Sequence, residues 1–385
     1  MSRVPAYQHI GAGSIVAGPG ASKALSEQRV FRKAERILVV SDAGVQDAGI
    51  LEPILSALGD KVALVDVKVQ PDGDVEHVEE LASRAQSAGV DTIVAVGGGS
   101  VMDTAKGVNV VMTKGGRLAE SEGFARVRAR LMPLVCVPTT AGTGSECTQF
   151  AVVADPTAKR KLILIDQALV PTLGVLDPEL LVGLPRKVTA ATGVDAITHA
   201  VEAVASKMAH PFGSAMAIEA LRLLVRERAL ENSLSDPGNL FARAATQNAA
   251  ALAGQAVSTS MLGACHAFAH ALGGRFGVPH GVANGLFLGP IMRHNLPRAR
   301  AAYAAVGQSF GGRGNEDELA AFAIEEIERV VHVVAEIPNQ LSAFGVGSED
   351  LPALAELTLA DPDLVTNPVS FKSIDAVLEI LQARM

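Results

Sequence analysis

Asp195 and His199 lie four residues apart in ATGVDAITHAVE, and His266, His270 and His280 follow in CHAFAHALGGRFGVPHG. Residues at i and i+4 share one face of a helix, so Asp195 and His199 can address the same ion. His266 and His270 share a second helical face, and the glycine-rich turn before His280 can bring a further imidazole back. A lone histidine on an apolar helix reads equally well as a packing or surface group. One carboxylate and three imidazoles at these spacings, in a chain with only nine histidines, read instead as a mononuclear metal site formed by Asp195, His199, His266 and His280. Such donors suit Fe, Zn, Mn, Co or Ni, and ligand softness does not choose among them. An ion held there is a Lewis acid for an alcohol or carbonyl oxygen.

Two glycine-rich segments in the other half of the chain suit a phosphate-bearing cofactor. Gly97-Gly98-Gly99-Ser100 stands between the strand-like run TIVAV (92–96) and a helical stretch. Glycines there allow close backbone approach, and the free N–H groups of the helix start face negative charge. PTTAGTGSE (138–146) follows the run LVCVP and offers several hydroxyls on flexible backbone. Each loop alone also reads as a tight turn; two of them, each after a strand, point to a dinucleotide. The usual GxGxxG pattern is not met, because Met102 stands where the third glycine belongs. Asp42, just after ILVV (37–40), is the candidate for a ribose 2′-hydroxyl and would repel a 2′-phosphate, which favours NAD(H) over NADP(H). A helix cap is the plainer role for the same carboxylate.

These residues need a scaffold that alternates strand and helix first and is helical afterwards. ILVV, VALVDV (62–67) and TIVAV read as buried strands, with helices expected over about 44–58 and 74–88. LVCVP, FAVVAD (150–155) and KLILID (161–166) continue the β character, so a mainly parallel sheet is expected. From Arg186 the chain turns alanine-rich with helical spacing, which places a boundary near residue 185. The expectation is an α/β domain over residues 1–185 and an all-helical, metal-binding domain over 186–385.

At 385 residues and 49% hydrophobic, the chain supports two cores. Its formal charge of −8 and lack of a long basic run speak against nucleic acid or anionic membrane as partner. The apolar runs are too short to span a bilayer, and the N-terminal stretch lacks the apolar core of a signal peptide. Three scattered cysteines fit a reducing cytoplasm better than a disulfide framework. The segment HIGAGSIVAG (9–18) reads as an exposed strand able to pair across a two-fold axis, hence a homo-oligomer.

VGGGSVMDTAKG (96–107), VPTTAGTGSE (137–146), LDPELLVGLP (176–185), ATGVDAITHAVEA (191–203), CHAFAHALGGRFGVPHGVANG (265–285) and TNPV (366–369) together resemble the iron-containing, or group III, alcohol dehydrogenases. The resemblance spans nearly the whole chain in the family's order. It implies a dehydroquinate-synthase-like fold, with an N-terminal nucleotide-binding α/β domain, an all-α C-terminal domain and an active site in the cleft between them. It also implies Fe(II) on Asp195, His199, His266 and His280, with Zn(II) or another divalent metal as the alternative, and NAD(H) as cofactor. Gly98, Gly99, Ser100 and Asp103 match the pyrophosphate and nicotinamide-side loop. Thr139, Thr140, Thr143 and Ser145 match the second cofactor loop, Lys161 matches a lysine reaching the cofactor ribose, and Asp42 falls at the adenosine-ribose position. His270 matches a family histidine that lies in the active site outside the ligand set, and is the expected proton relay.

The departures bear on substrate. Gln70-Pro71-Asp72-Gly73 stands where many members read PNPT, and Cys147, Val257, Ser258 and Cys265 also depart from common residues. The expected reaction interconverts a small alcohol and its aldehyde or ketone. A hydroxy-acid or oxo-acid dehydrogenase of the same family, such as one for 4-hydroxybutyrate or maleylacetate, is the first alternative. Phosphate elimination of the dehydroquinate-synthase kind and a non-catalytic NAD or metal sensor are the others.

Overall fold

The computed structural model describes residues 6–158 and 160–385, which group into two compact units. One spans Ile10–Leu184; the other comprises Pro185–Met385 and the short described stretch before Ile10.

Among its described residues the first unit has nine strands: β1 (Ser14–Ala17), β2 (Ile37–Val40), β3 (Val62–Asp66), β4 (Thr92–Gly97), β5 (Gly123–Phe124), β6 (Leu134–Pro138), β7 (Phe150–Asp155), β8 (Arg160–Ile165) and β9 (Leu173–Leu176). Six form a parallel sheet in the order β1-β9-β6-β4-β2-β3. Its central strands are apolar on both faces because both are covered. Leu38, Val40, Ile93, Ala95, Leu134 and Cys136 point into one core. The alternate residues Ile37, Val39, Val94, Val96, Val135 and Val137 point into the other.

Helices α1 (Ala43–Asp47), α2 (Leu51–Leu58), α3 (Val75–Ser87) and α4 (Gly99–Lys114) complete this unit. Three details differ from the sequence-based expectation. The helix expected over 44–58 is two helices, because Gly49 adopts φ +70° and breaks the ladder between them. FAVVAD and KLILID do not extend the main sheet; β7 and β8 pair antiparallel, and with β5 they make a separate three-stranded sheet. The N-terminal segment forms a strand only over Ser14–Ala17, and that strand pairs in parallel with β9 of its own chain. Chain order reverses between β2 and β4, since β3 lies outside β2 and β6 lies beyond β4. Open α/β sheets bind ligands at such a switch point, beyond the strands' C-terminal ends.

The second unit has helices and connecting turns, with no strand among its described residues. Its helices are α5 (Arg186–Ala205), α6 (Pro211–Leu221), α7 (Ala229–Ser235), α8 (Leu240–Ser260), α9 (Ala264–Phe276), α10 (His280–Ser309), α11 (Glu316–Glu328), α12 (Leu351–Leu359) and α13 (Ile374–Gln382). Small residues let α5 and α10 approach closely. A Cβ on Gly281 would lie 2.0 Å from the Ala191 carbonyl oxygen, a distance no side chain tolerates. Among the described residues, no helix is long and apolar enough to cross a membrane.

Candidate metal centre and cofactor loops

Helix α5 carries Asp195 and His199 one turn apart, both buried. His266 opens the buried side of α9, and His280 is the first residue of α10. The tertiary structure brings all four together. Asp195 Oδ1 lies 3.9 Å from His199 Nε2, 3.8 Å from His266 Nε2 and 3.5 Å from His280 Nε2. Asp195, His199 and His266 each offer a ligand atom within 4.8 Å of the others. The rings of His199 and His266 stack at 4.8 Å, and His280 lies 5.1 Å from His266.

The electrostatics suit a cation. Burial drives His266 well below its ordinary value and His280 down to about 3, so both rings are neutral with a lone pair to give. Burial works to raise Asp195, yet the neighbouring histidines and Asn284 hold it below its ordinary value. His199 Nδ1 is buried and has no hydrogen-bond partner among the described residues. A buried carboxylate oxygen with three imidazole Nε2 atoms 3.5–3.9 Å from it fits a divalent transition metal.

Sequence reasoning missed two residues of this centre. Asn284 Nδ2 lies 2.9 Å from Asp195 Oδ1, 3.3 Å from His266 Nε2 and 3.2 Å from His280 Nε2. Its signal was available: Asn284 is one helical turn after His280. Glu202 Oε2 lies 2.6 Å from His266 Nδ1, and its place on α5, one turn beyond His199, was equally readable. Burial pushes Glu202 up to about 7, against the pull of two backbone N–H donors.

His270 lies beside the cluster. Its ring stacks on His280 at 5.5 Å and meets His266 edge-on at 6.1 Å. Its Nδ1 is 2.9 Å from Asp361 Oδ2 and 3.7 Å from Asp363 Oδ2. Nothing in the local sequence links His270 to an aspartate 91 residues away. Burial, aided by Asp361 and Glu202, pushes Asp363 up to about 7, while the His270 bond holds Asp361 low.

In the first unit, Asp42, the Gly98–Ser100 turn and the 139–145 loop follow the adjacent strands β2, β4 and β6. Gly98 caps α4 without a side chain, leaving the helix N–H groups open. The two loops touch: a Cβ on Gly99 would meet the Thr143 methyl at 2.7 Å, and one on Gly98 would meet Thr140 Oγ1 at 3.3 Å. Thr139 is buried at the start of the second loop. Asp42 caps α1 through Val45 N–H at 2.9 Å. Ser100 Oγ accepts from Asp72 N–H at 3.0 Å, and Lys161 Nζ donates to Asp72 Oδ1 at 3.0 Å. The departing QPDG turn, with Asp72 at φ +65°, is therefore fastened to two expected cofactor residues.

Asp103 and Ser145 are hydrogen-bonded to one another and to their surroundings. Ser145 Oγ donates to Asp103 Oδ1 at 2.7 Å, and Val152 N–H donates to Asp103 Oδ2 at 3.0 Å. The fully buried Lys106, another residue that sequence reasoning missed, donates to Ser145 Oγ (2.8 Å), to Thr148 O and Oγ1 (both 3.1 Å) and to Phe150 O (2.7 Å). Its signal was the one-turn spacing from Asp103 on α4. Desolvation lowers the lysine from its ordinary value and raises Asp103, each opposed by the charge of the other.

The family model for iron-containing alcohol dehydrogenase matches residues 12–178, and that for the C-terminal part of the Fe-containing alcohol dehydrogenase family matches residues 189–385. Alcohol dehydrogenase 4 of Schizosaccharomyces pombe is 34% identical over 96% of this chain and 86% of its own length. The NAD-dependent methanol dehydrogenase of Bacillus methanolicus is 33% identical over 92% of this chain and 93% of its own. A crystal structure of 1,3-propanediol oxidoreductase superposes with a TM-score of 0.94 at 32% identity, covering 99% of this chain and 100% of the other. With both halves matched by its models, the chain belongs to the iron-containing alcohol dehydrogenase family and is an oxidoreductase.

Proposed function

We propose that this protein interconverts a small alcohol and its aldehyde or ketone, with Asp195, His199, His266 and His280 holding Fe(II). Zn(II) is the alternative ion. The carrying observation is the convergence of Asp195, His199 and His266 within 4.8 Å of one another. The ion supplies Lewis acidity towards the substrate oxygen, and NAD(H) supplies or accepts the hydride.

The chain's own groups do the rest. Gly98, Gly99, Ser100, Thr139, Thr140 and Thr143 line the turns that cradle the cofactor, with the open N–H groups of α4 facing its phosphates. Asp42 and Lys161 serve the riboses, and the Asp42 carboxylate disfavours a 2′-phosphate. Asp103 and Ser145 shape the loops from beneath through Lys106. His270 is the proton relay: with Nδ1 hydrogen-bonded to Asp361, proton exchange falls to its Nε2.

Supporting the cytoplasm as the working compartment, all three cysteines are free and buried. Supporting a homo-oligomer, β1 sits at the edge of the six-stranded sheet, where a second copy can continue the ladder. The deciding experiment loads the protein anaerobically with iron or zinc. It then assays a panel of neutral and carboxylated alcohols and aldehydes with NAD and with NADP. Turnover of neutral substrates with NAD is expected. Turnover of carboxylated substrates alone would move the assignment to a hydroxy-acid dehydrogenase, and cofactor binding without any turnover would remove the enzyme reading. His270→Ala is expected to retain metal and slow turnover; loss of metal would make His270 a ligand instead.

A further inference from the structure

Helix α9, which delivers His266, starts at Gly263 and has no capping side chain of its own. Its first N–H groups are met by two remote side chains. Gly263 N–H donates to Glu202 Oε2 at 3.0 Å, and Cys265 N–H donates to Glu202 Oε1 at 2.6 Å. Between them, Ala264 N–H donates to Asn367 Oδ1 at 3.2 Å. Asn367, from the TNPV segment, is held in turn by a reciprocal amide pair with Asn295 (3.0 and 2.8 Å) and by Val369 O (2.7 Å). Glu202, Asn367 and Asn295 are all buried.

The polarity of these bonds has a consequence for His266. A backbone N–H only donates, so both oxygens of Glu202 must accept. Oε2 is also 2.6 Å from His266 Nδ1, and when Glu202 is ionised the hydrogen of that contact sits on the imidazole. Nδ1 then carries the proton, and Nε2, 3.8 Å from Asp195 Oδ1, presents its lone pair. We propose that Glu202 is a positioning residue of the metal centre: it holds His266 in the tautomer that binds the ion, while Asn367 pins the helix start that carries the ring. This rests on His266 being a ligand. It explains why a glutamate on α5 and an asparagine near the C-terminus both converge on the first turn of α9.

Glu202→Gln is a near-isosteric test, because its NH2 group must replace one accepting oxygen. At Oε2 it opposes Gly263 N–H and the Nδ1 proton; at Oε1 it opposes Cys265 N–H. The measurement is the Zn(II) dissociation constant of the full-length protein by chelator competition, made as a double-mutant cycle with His266→Ala. Glu202→Gln is expected to weaken Zn(II) by about 10–100-fold, and to add nothing in the His266→Ala background. An unchanged dissociation constant for Glu202→Gln alone would overturn the proposal. So would an equal loss in both backgrounds, because Glu202 would then act through the fold and not through the imidazole. If His266→Ala alone leaves Zn(II) binding intact, the ligand assignment fails first and the proposal with it. Should Glu202→Gln not fold, Glu202→Asp enters the same cycle, since its shorter carboxylate cannot reach both the ring and the two N–H groups.

Discussion

Asn284 Nδ2 donates to Asp195 Oδ1 at 2.9 Å across 89 residues of chain, joining the first turn of α10 to the middle of α5. The carboxylate proposed as a ligand is thereby oriented by a neutral amide from the helix that also carries His280. Asn284→Ala should leave the four donors in place and loosen the carboxylate. Metal affinity is expected to fall about 10-fold or more, read by chelator competition, with the melting temperature of metal-stripped protein changed far less. An unchanged affinity would show that Asp195 needs no such support.

Gly281 controls how closely α10 approaches α5. Alanine there puts a methyl 2.0 Å from the Ala191 carbonyl oxygen, so the helices must separate. Gly281→Ala is expected to cost about 1–3 kcal/mol and to lower metal content in the same step, because His280 is the adjacent residue. Metal analysis beside a denaturant titration tests the link; lost stability with full metal content would break it.

Lys106 has four acceptors and the Asp103 carboxylate around it in a site closed to solvent. Lys106→Met keeps the shape of the side chain but orphans those acceptors, at a cost of about 1–3 kcal/mol. Because they support the second cofactor loop, NADH should bind more weakly, by about tenfold for each 1.4 kcal/mol expressed at the loop. The chain has no tryptophan, so NADH fluorescence enhancement reads binding against little background. Metal content is expected to stay unchanged.

Asp42 has two roles that one pair of variants separates. Asparagine caps a helix as well as aspartate, whereas alanine forfeits about 0.5–2 kcal/mol. Asp42→Asn should therefore preserve stability while narrowing the preference for NAD over NADP. Asp42→Ala should lose both. Unchanged cofactor preference in Asp42→Asn would leave Asp42 as a cap alone.

The buried Asp66 at the end of β3 binds His77 Nε2 at 2.9 Å and Arg84 at 3.1 Å. The His77 hydrogen bond to Asp66 raises the imidazole above its ordinary 6.5. Burial works to raise Asp66, but its hydrogen bonds, that to His77 first, hold it below its ordinary 3.8. A raised histidine stabilises fully below its unfolded value and loses that contribution as pH rises through the folded one. A lowered aspartate stabilises above its unfolded value and loses the contribution as pH falls through the folded one. The pair is therefore fully expressed between about 3.8 and 6.5 and fades on the alkaline side of that range. Urea titrations from pH 5.5 to 8.5 should show stability falling, with a smaller fall in His77→Ala.

Periodicity and spacing alone identified much of this protein. The two-faced β2 and β4 strands, the helical texture after residue 185, both glycine turns and the four donors proposed for the metal centre are local patterns. Each reflects a rule acting over a few residues, such as strand alternation, the helical turn or the backbone freedom of glycine. The break at Gly49 and the separate sheet of β5, β7 and β8 depended on backbone angles and pairing partners, which local propensity does not specify. The supporting residues were hidden for a related reason. Glu202, Asn284 and Lys106 each stand one turn from a recognised residue, yet helical spacing shows only that they share its face. That Glu202 meets His266, that Asn367 meets the start of α9 and that Asp361 meets His270 was decided by contacts between segments far apart in the chain. Such contacts, invisible in one dimension, join Asp103 to Ser145 and set Glu202 against His266 Nδ1.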